Sequence, residues 1–465
     1  MVQLPQSKPK GGDKYRPPGA PLDVEGYPVA PPELELEQVH IYVRHGERTP
    51  VSVRLAEPPA SIPERWLLCK QARRFRAAVA GTVSDQDETP GLEVNRILER
   101  PNGVSVEGEC LSGELTDMGR NSTYNFGVAL RKLYIEKLKF LPDWLIDPSD
   151  VYFRSTNMPR TIESLQQAIH GLYPMTKCHP SIAHEVRIRN GREENLIGNT
   201  LACKRLEVLL VNFATAAASA YNPTLEPLDK KISKYLGGNT IRVDGKPRAS
   251  GILDTIRASM AHGIKVPPEF EERAVTSTIE KAVANEWFSD KTEEVRRLGM
   301  GRLLADLSRK MHSKANETRS TPANERVPKI LLHSTHDTAL AALTNTLDVF
   351  DDRWPGFTAS ITFELFRHKD QPSEEDAVAA KVPMQTPLPQ QPSILQSVLK
   401  SPFRRKTIAS DFFVRMRYQN RNLVLPLCAE EGKHLPGSPE FCTLHAFAER
   451  VAELTPKDWE AECAA

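Results

Sequence analysis

Long hydrophobic runs and an excess of charge are both missing from this sequence. Its 465 residues contain no apolar run of the length that a membrane-spanning helix needs, about 18 residues, which argues against an integral membrane span. Lysine and arginine together number 61 against 60 aspartates and glutamates, a formal net charge of +1. A general nucleic-acid-binding protein carries a large basic excess, so this class is excluded, although a local cationic pocket is not.

The amino-terminal stretch lacks the apolar segment of a secretory signal. Residues 1–15 are polar and interrupted by proline and glycine, and they include Asp13 and few basic residues. The same composition is poor for an amphipathic transit peptide. We therefore expect a cytoplasmic protein, with import into mitochondria as the weaker alternative.

Cysteine is scarce and scattered. The seven cysteines are odd in number and dispersed, a pattern that does not predict a disulfide framework. Cys428 and Cys442 are the one local pair that could form a bridge. The same two thiols could be combined with His434 and His445 as a zinc site, but their spacing matches no common zinc finger. We expect neither a metal nor another cofactor.

Proline is concentrated in two segments without a regular pattern. Residues 1–37 contain repeated prolines, which predicts a disordered arm. Residues 369–407 are polar and also rich in proline. An irregular stretch of this length is uncommon inside a domain, so we interpret it as a disordered loop.

Strand patterns followed by helix patterns predict an α/β fold. The strand predictions relevant to the site cover residues 38–43, 151–153 and 329–333, and helices are predicted at 116–137, from 157 onward and at 338–347. We expect a central, mainly parallel sheet flanked by helices, formed by residues 38–189 and 326–455. Residues 190–325 contain amphipathic helical patterns and no strand-rich run, which predicts an inserted, mostly helical cap.

Cationic and titratable residues follow three of the predicted strands. Because the carboxyl ends of parallel strands meet at one edge of a sheet, we expect these residues to share a pocket. Several guanidinium groups in one pocket repel each other unless an anion lies between them, and their planar fork matches phosphate oxygens. The expected ligand is therefore a phosphoryl group. The residues are Arg44, His45 and Arg48 in the first loop, Arg154 in the second, and His336 and Asp337 in the third.

Two of these residues suit phosphoryl transfer. A neutral His45 can attack phosphorus and form a covalent phosphohistidine, and nearby arginines favour the neutral ring by lowering its pKa. Asp337 is the only carboxylate in its loop and is the candidate that protonates the leaving oxygen. Arginines and His336 can neutralise the developing charge, so the chemistry requires no metal.

The motifs resemble those of a known family. Residues 44–50, Arg-His-Gly-Glu-Arg-Thr-Pro, resemble the RHGxRxP signature of the histidine acid phosphatases, in branch 2 of the histidine phosphatase superfamily. Residues 336–337 resemble the HD motif of that family, 154–161 its RS(T)…R segment and 115–119 its LTxxG segment. The likeness covers roughly 38–368 and 408–455 in family order. Within the family, residues 151–157 and 349–355 are most similar to the lysophosphatidic acid phosphatases.

The resemblance implies an acid phosphatase that hydrolyses phosphomonoesters through a phosphohistidine, with a cap that shapes the leaving-group pocket. Lysophosphatidic acid or another small organic phosphate would be the substrate. The alternative is a catalytically silent member that binds a phosphate ligand or acts as a scaffold. The oligomeric state is left open. The implied roles are nucleophile for His45, proton donor for Asp337, and phosphate binding for Arg44, Arg48, Arg154 and His336.

Overall fold

Part of the predicted amino-terminal arm is ordered. The buried hydroxyl of Tyr27 donates to the Glu364 carboxylate at 2.9 Å, and the first strand begins at Leu34 rather than at residue 38. The prediction of disorder is therefore wrong for residues 21–37, whereas residues 1–20 and 370–407 lie outside the described residues. The computed structural model describes residues 21–71, 74–76, 93–179, 182, 184–317, 326–369 and 411–464.

The strands of the described residues form one large mixed sheet and one small one. They are β1 (Leu34–Arg44), β2 (Arg74–Arg76), β3 (Glu93–Asn95), β4 (Val151–Ser155), β5 (Val186–Arg187), β6 (Ile330–Thr335), β7 (Ser360–His368), β8 (Phe412–Tyr418), β9 (Arg421–Leu423), β10 (His434–Leu435) and β11 (Ser438–Thr443). The large sheet has the order β10-β11-β8-β7-β1-β6-β4-β5, with β9 paired to β8. Strands β1, β6, β4 and β5 run parallel, and the pairs from β1 through β7 to β10 are antiparallel.

The helices alternate with the parallel strands and then dominate the middle of the chain. They are α1 (Asp117–Leu130, continued by a π-helix at Arg131–Lys137), α2 (Pro159–Leu172), α3 (Lys204–Ile232), α4 (Ala249–Ala261), α5 (Pro268–Glu271), α6 (Arg273–Phe288), α7 (Glu293–Arg296, followed by a π-helix at Arg297–Gly301), α8 (Arg302–Ala315), α9 (Asp337–Thr346), α10 (Leu444–Leu454) and α11 (Trp459–Cys463). None of the helices in the described residues is both long and apolar enough to cross a membrane.

Both faces of the large sheet are covered by helices, which confirms the α/β prediction. Alternate residues of a strand point to opposite faces. Ile41 of β1 therefore packs in the cluster formed with α1 and α2, while its neighbour Tyr42 packs with residues of α8, α9 and α10. Helices α1 and α2 approach each other closely at Gly127 and Gly171, where a Cβ atom would collide with the backbone of the facing helix.

The inserted helices have an apolar core of their own. Leu225 of α3, Ile252 of α4 and Ile279 of α6 belong to one buried cluster, which also includes Leu55 and Ile62 from the segment after the first motif. Helix α8 packs against the sheet instead. The helical stretch predicted as a cap thus divides between a cap of α3 to α6 and a helix of the core layer.

Six of the seven cysteines form disulfides, contrary to the interpretation of the sequence. The local bridge considered for Cys428 and Cys442 is confirmed, and it removes both thiols from the zinc alternative. The other two bridges join residues 41 and 260 positions apart, separations that spacing in the sequence does not reveal. The pairs are Cys69–Cys110, Cys203–Cys463 and Cys428–Cys442, and Cys178 is a buried free thiol.

Candidate active site

The loops that carry the predicted site residues meet because their strands are aligned. Strand β6 lies between β1 and β4, with Arg44 opposite Thr335 and Ser155 opposite Ser334. All three strands therefore end at the same edge of the sheet. The amide of His45 donates to the Thr335 carbonyl at 3.1 Å, which fixes the start of the first loop beside the third.

Two glycines fit the first loop against the start of α1. A Cβ atom on Gly46 would collide with the backbone of Gly119, and a Cβ atom on Gly119 would collide with the backbone of Glu47. Thr116 caps α1 by accepting from the Gly119 amide at 3.2 Å, and its own amide donates to the Glu47 carbonyl at 3.0 Å. The close packing explains why both short sequence patterns, at 44–50 and 115–119, require a glycine.

His45 is buried, neutral and held in one tautomer. Only 1% of the residue is exposed. Its Nδ1 lies 2.9 Å from the Gly46 carbonyl oxygen, which can only accept, so Nδ1 carries the proton and Nε2 keeps its lone pair. Burial lowers the pKa of His45 well below its usual value, and the charges of Arg44 and Arg48 lower it further.

Arg44 and Asp337 form an ion pair at the centre of the site. Nη2 of Arg44 lies 2.6 Å from Oδ2 of Asp337, and Nη1 donates to the Pro355 carbonyl at 2.7 Å. Burial raises the pKa of Asp337, but Arg44, Arg48 and a hydrogen bond from Trp354 outweigh it and bring that pKa to about 2. Without a ligand, the candidate acid is therefore ionised.

Arg48 and Arg160 add further positive charge to the site. Nη2 of Arg48 pairs with Asp254 of cap helix α4 at 2.9 Å, so the cap directly contacts the first motif. Arg160 lies in the first turn of α2, and its positive charge lowers the pKa of both His45 and His336. Its buried Nε has no hydrogen-bond partner, and the same holds for Nε of Arg44 and Arg48.

His336 is the second histidine of the site. Its ring centroid lies 5.6 Å from that of His45, and its Nε2 lies 2.9 Å from Oγ1 of Thr156. Burial and the charge of Arg160 lower the pKa of His336 to about 4. His336 is thus neutral above about pH 4, and the arginines supply the positive charge of the site.

The structure does not bring Arg154 into this cluster. Its guanidinium pairs instead with the buried carboxylate of Glu194. The reason lies in strand alternation, because Arg154 belongs to β4 itself and is on the opposite face from Phe153. Arg160, six positions further along, takes the place that the sequence assigned to Arg154. The sequence pattern that points to Arg160 is an arginine in the first turn of the helix that follows the strand.

A cavity of about 690 Å³ opens onto the ion pair from the cap side. Arg44, Arg48 and Asp337 line one wall, and cap residues such as Leu253, Val283 and Trp287 line another. These cap residues belong to no motif, so sequence patterns do not point to them. A larger groove of about 1230 Å³ runs along α3, α5 and α6, but none of the predicted site residues lines it, whereas Arg44, Arg48 and Asp337 line the smaller cavity.

Comparisons with known proteins identify the family and the fold. Residues 35–380 match the model of the histidine phosphatase superfamily (branch 2). A probable acid phosphatase of Schizosaccharomyces pombe is 34% identical over 452 residues, covering 93% of this chain and 95% of the relative. Human lysophosphatidic acid phosphatase type 6 is 25% identical, covering 73% and 76%. The solved apo phytase of Hafnia alvei has a TM-score of 0.55 at 15% identity, covers 94% of this chain and 100% of its own, and supports the fold.

The fold and the family match together define the class of the protein. This chain belongs to the histidine phosphatase superfamily, branch 2. Within that superfamily it is an acid phosphatase, a phosphoric monoester hydrolase.

Proposed function

We propose that His45 is the nucleophile of a two-step phosphatase reaction. The observation that carries this proposal is the Nδ1 contact with the Gly46 carbonyl, which leaves the Nε2 lone pair free to attack. In the first step an N–P bond forms at His45 while the bond from phosphorus to the ester oxygen breaks with its electron pair on oxygen. In the second step water attacks the phosphohistidine and releases inorganic phosphate.

Arg44, Arg48 and Arg160, with His336, are the proposed phosphate ligands. The mutual repulsion of the three arginines favours an anion between them. These contacts stabilise the extra charge of the transition state without a metal. Arg154 is omitted from this set because neither it nor its partner Glu194 lines the cavity, whereas Arg44, Arg48 and the acids paired with them do.

Asp337 is the proposed acid, and the substrate itself prepares it. In the unliganded site Arg44 holds the carboxylate ionised. A bound phosphate draws Arg44 toward itself and adds negative charge, and both effects raise the pKa of Asp337. The protonated carboxyl then donates to the leaving oxygen, and its carboxylate later accepts a proton from the attacking water. This requirement favours catalysis at acidic pH.

A small organic phosphate with an apolar portion is the proposed substrate. The cavity combines the cationic wall with the apolar side chains of Leu253, Val283 and Trp287. Its volume of about 690 Å³ suits a ligand of moderate size. Lysophosphatidic acid fits this description, and a relative that covers most of the chain is named for it.

We also infer that the protein works in an oxidising compartment. Three disulfides, one of them closing 260 residues of chain, are rare in reducing cytoplasm. This proposal replaces the cytoplasmic expectation, which rested on the composition of residues 1–15. Free-thiol counting on the natively expressed protein tests it, and one reactive thiol per chain, rather than seven, is expected after unfolding.

The activity is tested by phosphate release from lysophosphatidic acid, phytate and p-nitrophenyl phosphate between pH 4 and pH 8. We expect turnover that is highest at acidic pH, with lysophosphatidic acid preferred to phytate. A preference for phytate would contradict the substrate proposal alone. No release from any of the three by the folded protein would favour the silent, phosphate-binding alternative.

A further inference from the structure

The candidate acid has a hydrogen-bond donor outside the three loops that carry the predicted site residues. Nε1 of Trp354 donates to Oδ2 of Asp337 at 2.9 Å, and the other carboxyl oxygen accepts from the Thr338 amide at 2.8 Å. Oδ2 is also the oxygen that pairs with Arg44. Each carboxyl oxygen therefore has a donor of its own besides Arg44.

Trp354 is itself fixed by the cap. Its amide donates to Oε1 of Glu280 in α6 at 3.0 Å, and its carbonyl accepts from Nη2 of Arg257 in α4 at 3.0 Å. Glu280 and Arg257 are both buried, with Nη1 of Arg257 3.5 Å from Oε1 of Glu280. Helices α4 and α6 therefore both hold the backbone of Trp354 in place. The indole ring also packs against Phe288, with centroids 5.0 Å apart.

We propose that Trp354 is a positioning residue that holds the carboxyl group of Asp337 toward the leaving oxygen and ties its orientation to the cap. This rests on the proposed role of Asp337 as the acid. When Arg44 turns to the substrate phosphate, the indole N–H stays on Oδ2. A neutral carboxyl oxygen still accepts a hydrogen bond, so the contact persists after Asp337 is protonated. The proton then passes to the ester oxygen as its bond to phosphorus breaks.

The proposal predicts a loss that depends on the leaving group. An alkyl phosphate needs a proton on its leaving oxygen, whereas p-nitrophenolate departs with little help. Trp354→Phe should lower kcat/KM for an alkyl phosphate by about 10- to 100-fold, part of the usual contribution of a general acid, and for p-nitrophenyl phosphate by less than about threefold. Inhibition by inorganic phosphate should be unchanged, since the arginines remain.

The control is Trp287→Phe. Trp287 lines the same cavity and packs against Trp354 with centroids 5.7 Å apart, and its ring makes no hydrogen bond to Asp337. Because Trp287 belongs to the apolar wall, any loss should follow the size of the leaving group and not its need for a proton. If Trp354→Phe folds poorly, 3-benzothienylalanine at position 354 keeps the ring shape and lacks the N–H, and it should reproduce the selective loss.

Asp337→Asn separates the possible failures. Selective loss with Asp337→Asn but equal losses, or none, with the two Trp354 variants would overturn the positioning role and leave the acid assignment intact. Equal losses on both substrates with Asp337→Asn would overturn both proposals. Selective losses at both positions are the expected result.

Discussion

Two regions of the sheet that bury arginines, one around Arg415 and one around Arg44, differ in whether a cavity reaches the ion pair. In β7 and β8, Oε2 of Glu364 pairs with Arg415 at 2.7 Å, while Oε1 accepts from the hydroxyls of Tyr27 and Tyr134, each at 2.9 Å. Arg415 and Glu364 have no exposed side-chain area. The other region is the sheet edge where β1, β4 and β6 end, which we call the catalytic edge. There, Arg44 and Arg48 line a cavity together with the acids that pair with them.

The difference shows what a cluster of arginines means. Charge alone does not distinguish the two regions, because both bury guanidinium groups beside a carboxylate. What distinguishes the catalytic edge is a cavity against the ion pairs, so that an incoming anion can replace Asp337 as the partner of Arg44. The other region has internal partners on both oxygens of Glu364, and it joins the amino-terminal segment to the sheet.

The largest expected effect distinguishes His45, a histidine of the site, from His333, a buried histidine of β6 that is outside the site. His45→Ala should reduce turnover to below about one thousandth of the wild-type rate, since the covalent step has no substitute, with little change in stability. His333, stacked on Tyr42 with centroids 4.6 Å apart, is the matched control. His333→Ala should lower the unfolding temperature and preserve activity below it. Residual turnover of a few per cent with His45→Ala would contradict the mechanism.

The next prediction distinguishes Arg160 from Arg154 by the effects of their substitution on activity and on stability. Arg160→Gln should lower kcat/KM by about 10²- to 10³-fold, the usual cost of one donor to transition-state charge. Arg154→Gln leaves the buried Glu194 without its ion pair, so it should mainly reduce stability, by about 3–5 kcal/mol. Steady-state kinetics and urea unfolding on both variants test this. A kinetic loss confined to Arg154→Gln would reverse the assignment.

Glu364→Gln should destabilise the region around Arg415 without affecting catalysis. Removing the carboxylate leaves Arg415 and Arg417 buried without compensation, which should cost about 3–5 kcal/mol of unfolding free energy. Because neither arginine lines the catalytic cavity, kcat/KM of the folded protein should stay within about twofold of the wild type. Unfolding in urea, paired with kinetics at low temperature, measures both quantities. A large kinetic loss in the folded variant would show that the two regions are coupled.

The last expected effect is a pH dependence of stability. Burial lowers the pKa of His40, His45 and His333 well below the usual value, and that of His336 to about 4. The unfolded chain therefore binds more protons once the pH falls below about 6.5, so the free energy of unfolding should decrease from pH 7 to pH 4. Asp337, with a pKa of about 2, adds a further loss only below its unfolded value of about 3.9. Urea unfolding at pH 7, 5.5 and 4.5 tests this, and constant or rising stability would contradict it.

Much of the catalytic edge could be predicted from the sequence because it depends on local patterns. The strands before residues 44, 154 and 336 were recognisable, and parallel pairing brings their ends together. The sequence predicts Arg154 in the phosphate pocket, but Arg154 lies within β4 and points along one face of the sheet, whereas Arg160 in the first turn of α2 faces the edge. That distinction depends on where β4 ends, which sequence patterns locate poorly.

The cap side of the site could not be predicted. Asp254, Arg257 and Trp354 reach the catalytic loop from distant parts of the chain, and no local spacing connects them. The same is true of Cys203 and Cys463, whose pairing depends on the packing of α11 near α3. The residues that carry the proposed chemistry thus lie in short motifs, whereas the residues that position them are brought together only by tertiary packing.

The most direct test of the central claim is to trap the phosphoenzyme. The enzyme is mixed with ³²P-labelled substrate, quenched in alkaline denaturant to preserve a phosphohistidine, digested and mapped by mass spectrometry. We expect one phosphoryl group on the imidazole of His45 and none in His45→Ala. Label on another residue, or turnover with no trapped label while the second step is the slower one, would contradict it.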